Sequence, residues 1–304
     1  MFSYRTVSLS EVAPTDVMTV MRDCRFAFVG KIPTLLDDRV VPCVSAAHIK
    51  SCAKFEGVVG IITTAALADE VPARFGLAVA ERPVSASIRL HEALLDRENL
   101  QWDDFETQIH PEAIIEQGAI IAPRNVRIGA NSVIQSGAIL RERTVIGDNC
   151  RVGPGSVISC TAFEIEADSQ PKRIIRQGGG VLLEDHVEIE ANTTLVRSAF
   201  GGFTQIGRET KIDCQVYIAH DCRVGQRVQI VSGATVCGRV SIGDDAYVGP
   251  NCSIANGIQV GAQAFVTMGS VVTRNVAEGQ KVTGNFAVPH ANWLEFVRTV
   301  GSPR

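Results

Sequence analysis

IGRETK IDCQVY IAHDCR VGQRVQ IVSGAT VCGRVS IGDDAY VGPNCS IANGIQ VGAQAF VTMGSV V is the run from Ile206 to Val272, divided after every sixth residue. Each block opens on Ile or Val. The second place is often glycine, as at Gly207, Gly225, Gly243, Gly249 and Gly261. The fifth place is mostly small: Thr210, Cys222, Ala234, Ala246, Cys252, Ala264, Ser270. A period of six fits neither an amphipathic helix nor a two-faced strand. It is the repeat of a parallel β-helix, in which each block gives a short strand and a turn. The aliphatic residue points into the coil. The small residue is expected to let the chain turn the corner, and the glycine to take backbone angles that a Cβ would obstruct. Three blocks, about eighteen residues, close one coil, so residue i should stack beside residue i+18.

The pattern extends toward the N-terminus. Its aliphatics stand at Ile109, Ile115 and Ile121, slip by one residue to Ile128, and resume at Ile134, Leu140, Ile146, Val152 and Ile158. The slip falls at Arg124 and Asn125 and reads as a local bulge. Residues 163–180, FEIEADSQPKRIIRQGGG, break the rule. This polar, glycine-rich segment is expected to leave the coil as a hairpin or loop, and loops on rigid scaffolds often carry binding residues. The repeat returns at Val181 and Val187, weakens at Thr193 and Thr194, and bulges at Gly201 and Gly202.

Residues 1–100 follow another rule. A strand over 25–29 should stop at the run from Gly30 to Pro33. Ser45 can N-cap a helix reaching Lys54. A strand over 57–63, a short helix over 65–70 and a strand over 76–80 come next, and Pro83 opens a helix through Leu95. Strands alternating with helices indicate a small α/β domain. Trp102 and Phe105, in a polar connector, are placed to pack on the first coil. The expected chain is therefore mainly β. It has an α/β domain over 1–100, a left-handed parallel β-helix over 108–288, and a tail over 289–304 with a short helix from Asn292 to Val300.

Composition removes several classes of function. Among 304 residues the net charge is −4, which offers no basic surface for nucleic acid or anionic lipid. No apolar run approaches the ~20 residues of a membrane helix. The start, MFSYRTVSLSEVAPTD, lacks a basic region followed by an apolar one, so no secretory signal is read there. Nine cysteines with no CxxC pair argue for a reducing cytoplasm rather than a disulfide framework. Cys150, Cys222 and Cys252 fall where the repeat asks for a small core residue.

His220 stands two places after the inward Ile218, near a corner and facing out. The residue stacked on it from the next coil should be Gly238, leaving open space against the imidazole. A histidine beside an unobstructed backbone N–H is a minimal kit for acyl transfer. The imidazole takes a proton from an attacking amine or hydroxyl, and the amide stabilises the tetrahedral oxyanion. Spacing alone leaves a second reading open, a solvated corner histidine without chemistry.

The segment KIDCQVYIAHDCRVG, residues 211–225, resembles the active-site stretch of hexapeptide acyltransferases of lipid A assembly. The nearest likeness is to the UDP-3-O-acylglucosamine N-acyltransferase family. VEIEANTTLVRSAFGGFTQIG at 187–207 and RQGGGVLLEDHVEI at 176–189 continue it. The resemblance implies His220 as general base and Gly238 as oxyanion donor. It implies a homotrimer with pockets between neighbouring coils, and an acyl thioester donor with no permanently bound cofactor. His48, Asp213 and Asp221 become candidate substrate-binding residues. The sequence departs from that pattern in places. Asp221 replaces an asparagine, Gly257 stands where a second histidine is usual, and the nucleotide-stacking aromatics reduce to His48. Residues 243–284 look more like sugar acetyltransferases that use acetyl-CoA, which makes Asn256, Gly257, Gly269 and Ser270 candidates for contact with the donor arm.

Three functions compete. The first is acyl transfer from acyl-CoA or acyl-carrier protein to the amine of a nucleotide-linked sugar. An acetyl-CoA-dependent N-acetyltransferase for a surface polysaccharide is its near variant. The second is a zinc hydratase like the γ-class carbonic anhydrases, which needs three histidines around the metal. The regular repeat offers His220 alone, with His186 upstream, and Cys222 should point inward, so no metal site is expected. The third is a non-catalytic sugar-binding β-helix. His91, His110 and His290 show no partner pattern.

Overall fold

Strands Tyr217–Ile218, Thr235–Val236 and Ser253–Ile254 lie side by side in parallel, with Ile218 opposite Val236 and Val236 opposite Ile254. This is the i+18 register. The computed structural model describes residues 4–33, 36–97, 100–284 and 288–300. Three parallel sheets of eight, eight and nine strands form the faces of a left-handed parallel β-helix. Its interior is a single column of Ile, Val, Leu and small residues. Each fully buried Ile or Val contributes roughly 1.5–3 kcal/mol.

The corners are built differently from the sequence expectation. Gly207, Gly225, Gly243 and Gly261 do not have left-handed backbone. They are glycine because the next coil passes too close: a Cβ on Gly207 would lie 2.4 Å from the Gly225 carbonyl oxygen. Left-handed angles fall two residues later, at Glu209, Gln215, Asp221, Arg227, Gly233 and Arg239, among others. The fifth-place residues Thr210, Cys222, Ala234, Ala246, Cys252 and Ala264 are all buried. They are small because they share the interior with the aliphatic column, while the left-handed residue before them makes the turn.

The register between 180 and 196 also needs correction. Ile146 pairs with Leu183, Val152 with Ile189, and Ile158 with Leu195. The repeat therefore returns at Leu183. Val187 fills the small fifth place of that hexad, and it is buried too. The slip near Asn125 is an anchor. Asn125 has φ 62° and is 4 % exposed. Its side-chain oxygen accepts from Trp102 Nε1 and the Phe105 N–H, both at 3.0 Å, which ties the connector to the first coils.

Ahead of the coil lies a five-stranded sheet in the order Thr19–Arg22, Gly76–Val79, Val58–Thr63, Arg39–Pro42, Phe28–Val29. The first pairing is antiparallel and the rest are parallel. The strand expected over 25–29 breaks at Ala27, because Arg25–Phe26 pairs instead with Val7–Ser8. Helix α1 (Leu9–Val12) is one turn long. Helix α2 (Ala46–Cys52) has Ser45 as N-cap, accepting from the His48 N–H at 3.2 Å, and ends two residues before Lys54. Residues 65–70 form a 3-10 turn. Helix α3 (Pro83–Leu95) buries Ile88, Leu90 and Leu94 as its spacing requires. Helix α4 (His290–Val300) begins two residues earlier than expected. No helix among the described residues is long and apolar enough to cross a membrane.

Residues 163–180 do leave the coil. Ile165–Glu166 and Arg173–Ile174 form an antiparallel hairpin. It docks on α3 through Arg173 with Glu92 and Arg176 with Asp96. Ile88, Ala162, Ile175, Val196, Ala199 and Phe200 form an apolar cluster beneath these pairs. His91 is fully buried at this seam, with Nε2 3.0 Å from the Arg176 carbonyl oxygen and Nδ1 unpartnered. Burial lowers its pKa from 6.5 to about 4. The folded state therefore refuses a proton that the unfolded chain accepts, and stability falls as pH drops from 6.5 toward 4. His91→Gln is expected to remove roughly 3 kcal/mol of that acid-side loss. Urea unfolding of both proteins across the window checks this, and parallel stability–pH curves would refute it.

A candidate active site at the His220 corner

His220 follows strand Tyr217–Ile218 at the corner of one face, and Asp221 takes the left-handed angle with φ 59°. His220 Nδ1 lies 2.7 Å from Asp221 Oδ2. Asp221 is itself held in place. Its N–H donates to Thr204 Oγ1 at 2.9 Å, and its Oδ1 accepts from Ser198 Oγ and from the Ala199 N–H at 3.3 Å. Burial pushes the Asp221 carboxyl up. The hydrogen bond and charge of His220, with Ser198 and Arg39, pull it down further, so it ends below its ordinary range. An ionised Asp221 accepts the Nδ1–H, which leaves the lone pair on Nε2.

Gly238 stacks on this imidazole. The Arg239 N–H donates to the His220 carbonyl at 2.9 Å. A Cβ on Gly238 would come 2.7 Å from Nε2. The space expected beside the glycine is therefore occupied by the ring. No acceptor for the Gly238 N–H is found among the described residues. The imidazole points out of the coil, yet its side chain is 13 % exposed. Glu164, from the start of the hairpin segment, puts Oε2 3.8 Å from Nε2, and Lys31 of the N-terminal sheet domain pairs with Glu164. A solvated corner histidine does not describe this environment.

Asn256 and Gly257 lie on the same corner one coil further, where the Gly257 N–H donates to the Gly238 carbonyl at 3.0 Å. A Cβ on Gly257 would come 3.4 Å from Pro33 Cδ, so the N-terminal domain reaches this coil as well. Other candidates fall elsewhere. Asp213 accepts from the Cys214 and Ser232 N–H groups at 2.7 and 3.1 Å and ties two coils at another corner. The Cys214 N–H bond is the main reason its carboxyl sits below the ordinary range, and burial opposes it. Gly269 shares that corner, with its N–H bonded to the Pro250 carbonyl at 2.8 Å, and Ser270 Oγ donates to the Thr267 carbonyl at 2.8 Å. His48 is on α2, beside Cys43 and Cys52. Those three ligand atoms lie within 4.8 Å of one another, the one group among the described residues close enough to share a metal ion. Cys222 is buried in the coil, away from the outward imidazole.

Sequence reasoning missed Glu164, Lys31, Arg39, Ser198 and Arg239. The break in the repeat flagged the segment that carries Glu164. Nothing in the spacing flagged the other four.

Residues 125–160 and 203–238 match the family model described as bacterial transferase hexapeptide (six repeats), and 239–274 match that of the hexapeptide repeat of succinyl-transferase. All three matched stretches lie within the coil. This hexapeptide-repeat chain is 33 % identical over 194 residues to a UDP-3-O-acylglucosamine N-acyltransferase from Anaeromyxobacter dehalogenans, covering 62 % of the chain and 54 % of the relative. The hexapeptide-repeat chain thus spans about half the length of that curated relative. Among solved structures, a UDP-N-acetylglucosamine acyltransferase from Campylobacter jejuni is 28 % identical, with TM-score 0.48 and coverage of 59 % and 72 %. The enzyme of that name from Francisella novicida is 24 % identical, with TM-score 0.49 and coverage of 64 % and 72 %.

Proposed function

We propose that this chain transfers an acyl group from a thioester to the amino group of a nucleotide-linked aminosugar. The observation that carries the reading is the His220–Asp221 pair packed against Gly238. His220 Nε2 takes a proton from the attacking amine as nitrogen bonds to the thioester carbonyl carbon. The Gly238 N–H receives the oxyanion. As the carbon–sulfur bond breaks, the imidazolium returns the proton to the departing thiolate. Asp221 positions the ring and steadies its charged form. The products are an N-acyl sugar and a free thiol.

The donor is acyl-CoA or acyl-carrier protein, with no permanently bound cofactor. Asn256 and Gly257 continue the corner beyond Gly238 and are the natural track for the donor arm. His48, Asp213, Gly269 and Ser270 lie away from this corner, so a role for them rests on a second subunit of a homotrimer. Exposed Trp293, Leu294 and Phe296 on α4, and Tyr217, Phe265 and Val271 on the coil, supply apolar surface for a neighbouring copy.

A donor screen tests the reading. Thiol release is measured with acetyl-CoA, longer acyl-CoAs and acyl-carrier protein, on a nucleotide-linked aminosugar, using protein that should sediment as a trimer. Acetyl-CoA is expected to give the highest kcat/KM. A hydroxyacyl carrier protein ahead by ~100-fold would move the reading to the lipid A type reaction. Thiol release with none of them would overturn it.

Glu164→Gln is expected to lower kcat/KM by roughly 10- to 150-fold, the effect of losing one charge-assisted contact worth roughly 1.5–3 kcal/mol. The motive is its approach to Nε2 and its tie to Lys31. Unchanged kinetics would show that the hairpin covers the site without acting in it.

A further inference from the structure

Between the N-terminal domain and the coil lies a cavity of about 90 Å³. Arg39 and Lys31 line it from the domain, and Arg239, Ser241 and Gln259 from the coil. Asp221 forms part of its wall, so the cavity adjoins the candidate active site. Arg39 is 6 % exposed. Its Nη1 donates to the Lys31 carbonyl at 3.4 Å, and its Nε is buried with no hydrogen-bond partner. The Nε of Arg239 is buried and unpartnered as well.

Two orphaned guanidinium donors around one cavity require an explanation. A buried cation without a partner is costly, and an unmade charged hydrogen bond adds to that cost. The nearby carboxylate does not resolve this. Asp221 spends its oxygens on His220, Ser198 and Ala199. Neither Arg39 nor Arg239 has a carboxylate within 4.0 Å among the described residues. Burial pushes the Arg39 pKa down to about 10; Asp221 opposes that and Arg239 adds to it. Arg39 is still a cation at neutral pH, and the two guanidiniums repel each other. Lys31 is already matched by Glu164. What the cavity lacks is an anion carrying several acceptor oxygens. Guanidinium forks match phosphate oxygens well.

We propose that this cavity is a diphosphate-binding site, assembled by Arg39 of the N-terminal domain and Arg239 of the coil, which holds the phosphates of the acceptor beside His220. Assigning the diphosphate to the acceptor rests on the acyl-transfer reading; the anion site itself does not. The arrangement links the two halves of the chain, because neither arginine alone encloses the cavity. It also gives the acceptor a fixed anchor directly beside the His220–Asp221 pair: Asp221 lies in the wall of the cavity and holds the imidazole. Phe55 and Phe203 complete the wall with apolar surface.

Isothermal titration of the full chain with inorganic pyrophosphate, UDP and coenzyme A tests this, comparing wild type with Arg239→Gln and Arg39→Lys. Pyrophosphate and UDP are expected to bind wild type, and Arg239→Gln to weaken both at least tenfold. Arg239 sits on a coil corner, so that variant still reports if the Arg39 variant fails to fold. Coenzyme A binding that depends on Arg239, with UDP binding that does not, supports a diphosphate site but overturns its assignment to the acceptor. No binding of any probe to folded wild type, or binding unmoved by either substitution, overturns the site. Acylation of a nucleotide aminosugar by such a protein would leave the proposed reaction intact. Pyrophosphate binding without acylation of any aminosugar would do the reverse.

Discussion

His220→Ala is expected to lower kcat by at least ~10²-fold, the usual contribution of a positioned general base. The imidazole is the base candidate next to Gly238, and its Nδ1 is already committed to Asp221. The fold should survive. His220 contributes nothing to the aliphatic column, and Asp221 keeps its bonds to Ser198 and Ala199. Loss of one partner from that carboxylate is expected to cost about 1–3 kcal/mol. Circular dichroism and thermal melting verify that the variant is folded, and steady-state kinetics with the donor found in the screen gives the number. A folded variant with near-wild-type kcat would end the assignment of His220.

Gly238→Val is expected to be comparably damaging, with kcat falling at least ~10²-fold, the range for displacing a positioned general base, since valine keeps the backbone N–H but crowds the ring. The first carbon of the new side chain would meet His220 Nε2 at 2.7 Å and Cε1 at 2.8 Å. Something must move, and what lies there is the His220 ring rather than the backbone of the next coil. Gly207 makes the contrast: a side chain there meets the backbone of Gly225, so Gly207→Val should damage folding. At Gly238 overpacking is expected to cost about 1–3 kcal/mol while activity collapses. Gly238→Ala reports the same geometry more gently. Normal turnover by folded Gly238→Val would show that the ring and the amide do not act together.

The chain's own spacing determined the solenoid. Ile or Val at every sixth place from Ile206 to Val272 can be buried by one period alone, and that period fixes i+18 stacking, the inward column and the partner of His220. Interactions between coil neighbours are repeated and close in sequence, so pattern reveals them. The α/β start was legible for the same reason, through the Ser45 cap and the Pro83 helix start, which are local events. Glycine at the second hexad place was read as a backbone-angle requirement, when the constraint is the approach of the next coil. That distance belongs to the tertiary structure. So does the surroundings of the imidazole. Glu164 reaches Nε2 because residues 163–180 fold back as a hairpin, and Lys31 and Arg39 arrive from more than a hundred residues away in sequence. Docking of α3 through His91 and Glu92 holds the domain against the coil. Charges brought together by docking leave no periodicity in the sequence, so the stacking of His220 on Gly238 could be read from the hexads, while the cationic cavity beside it exists only once the two halves of the chain meet.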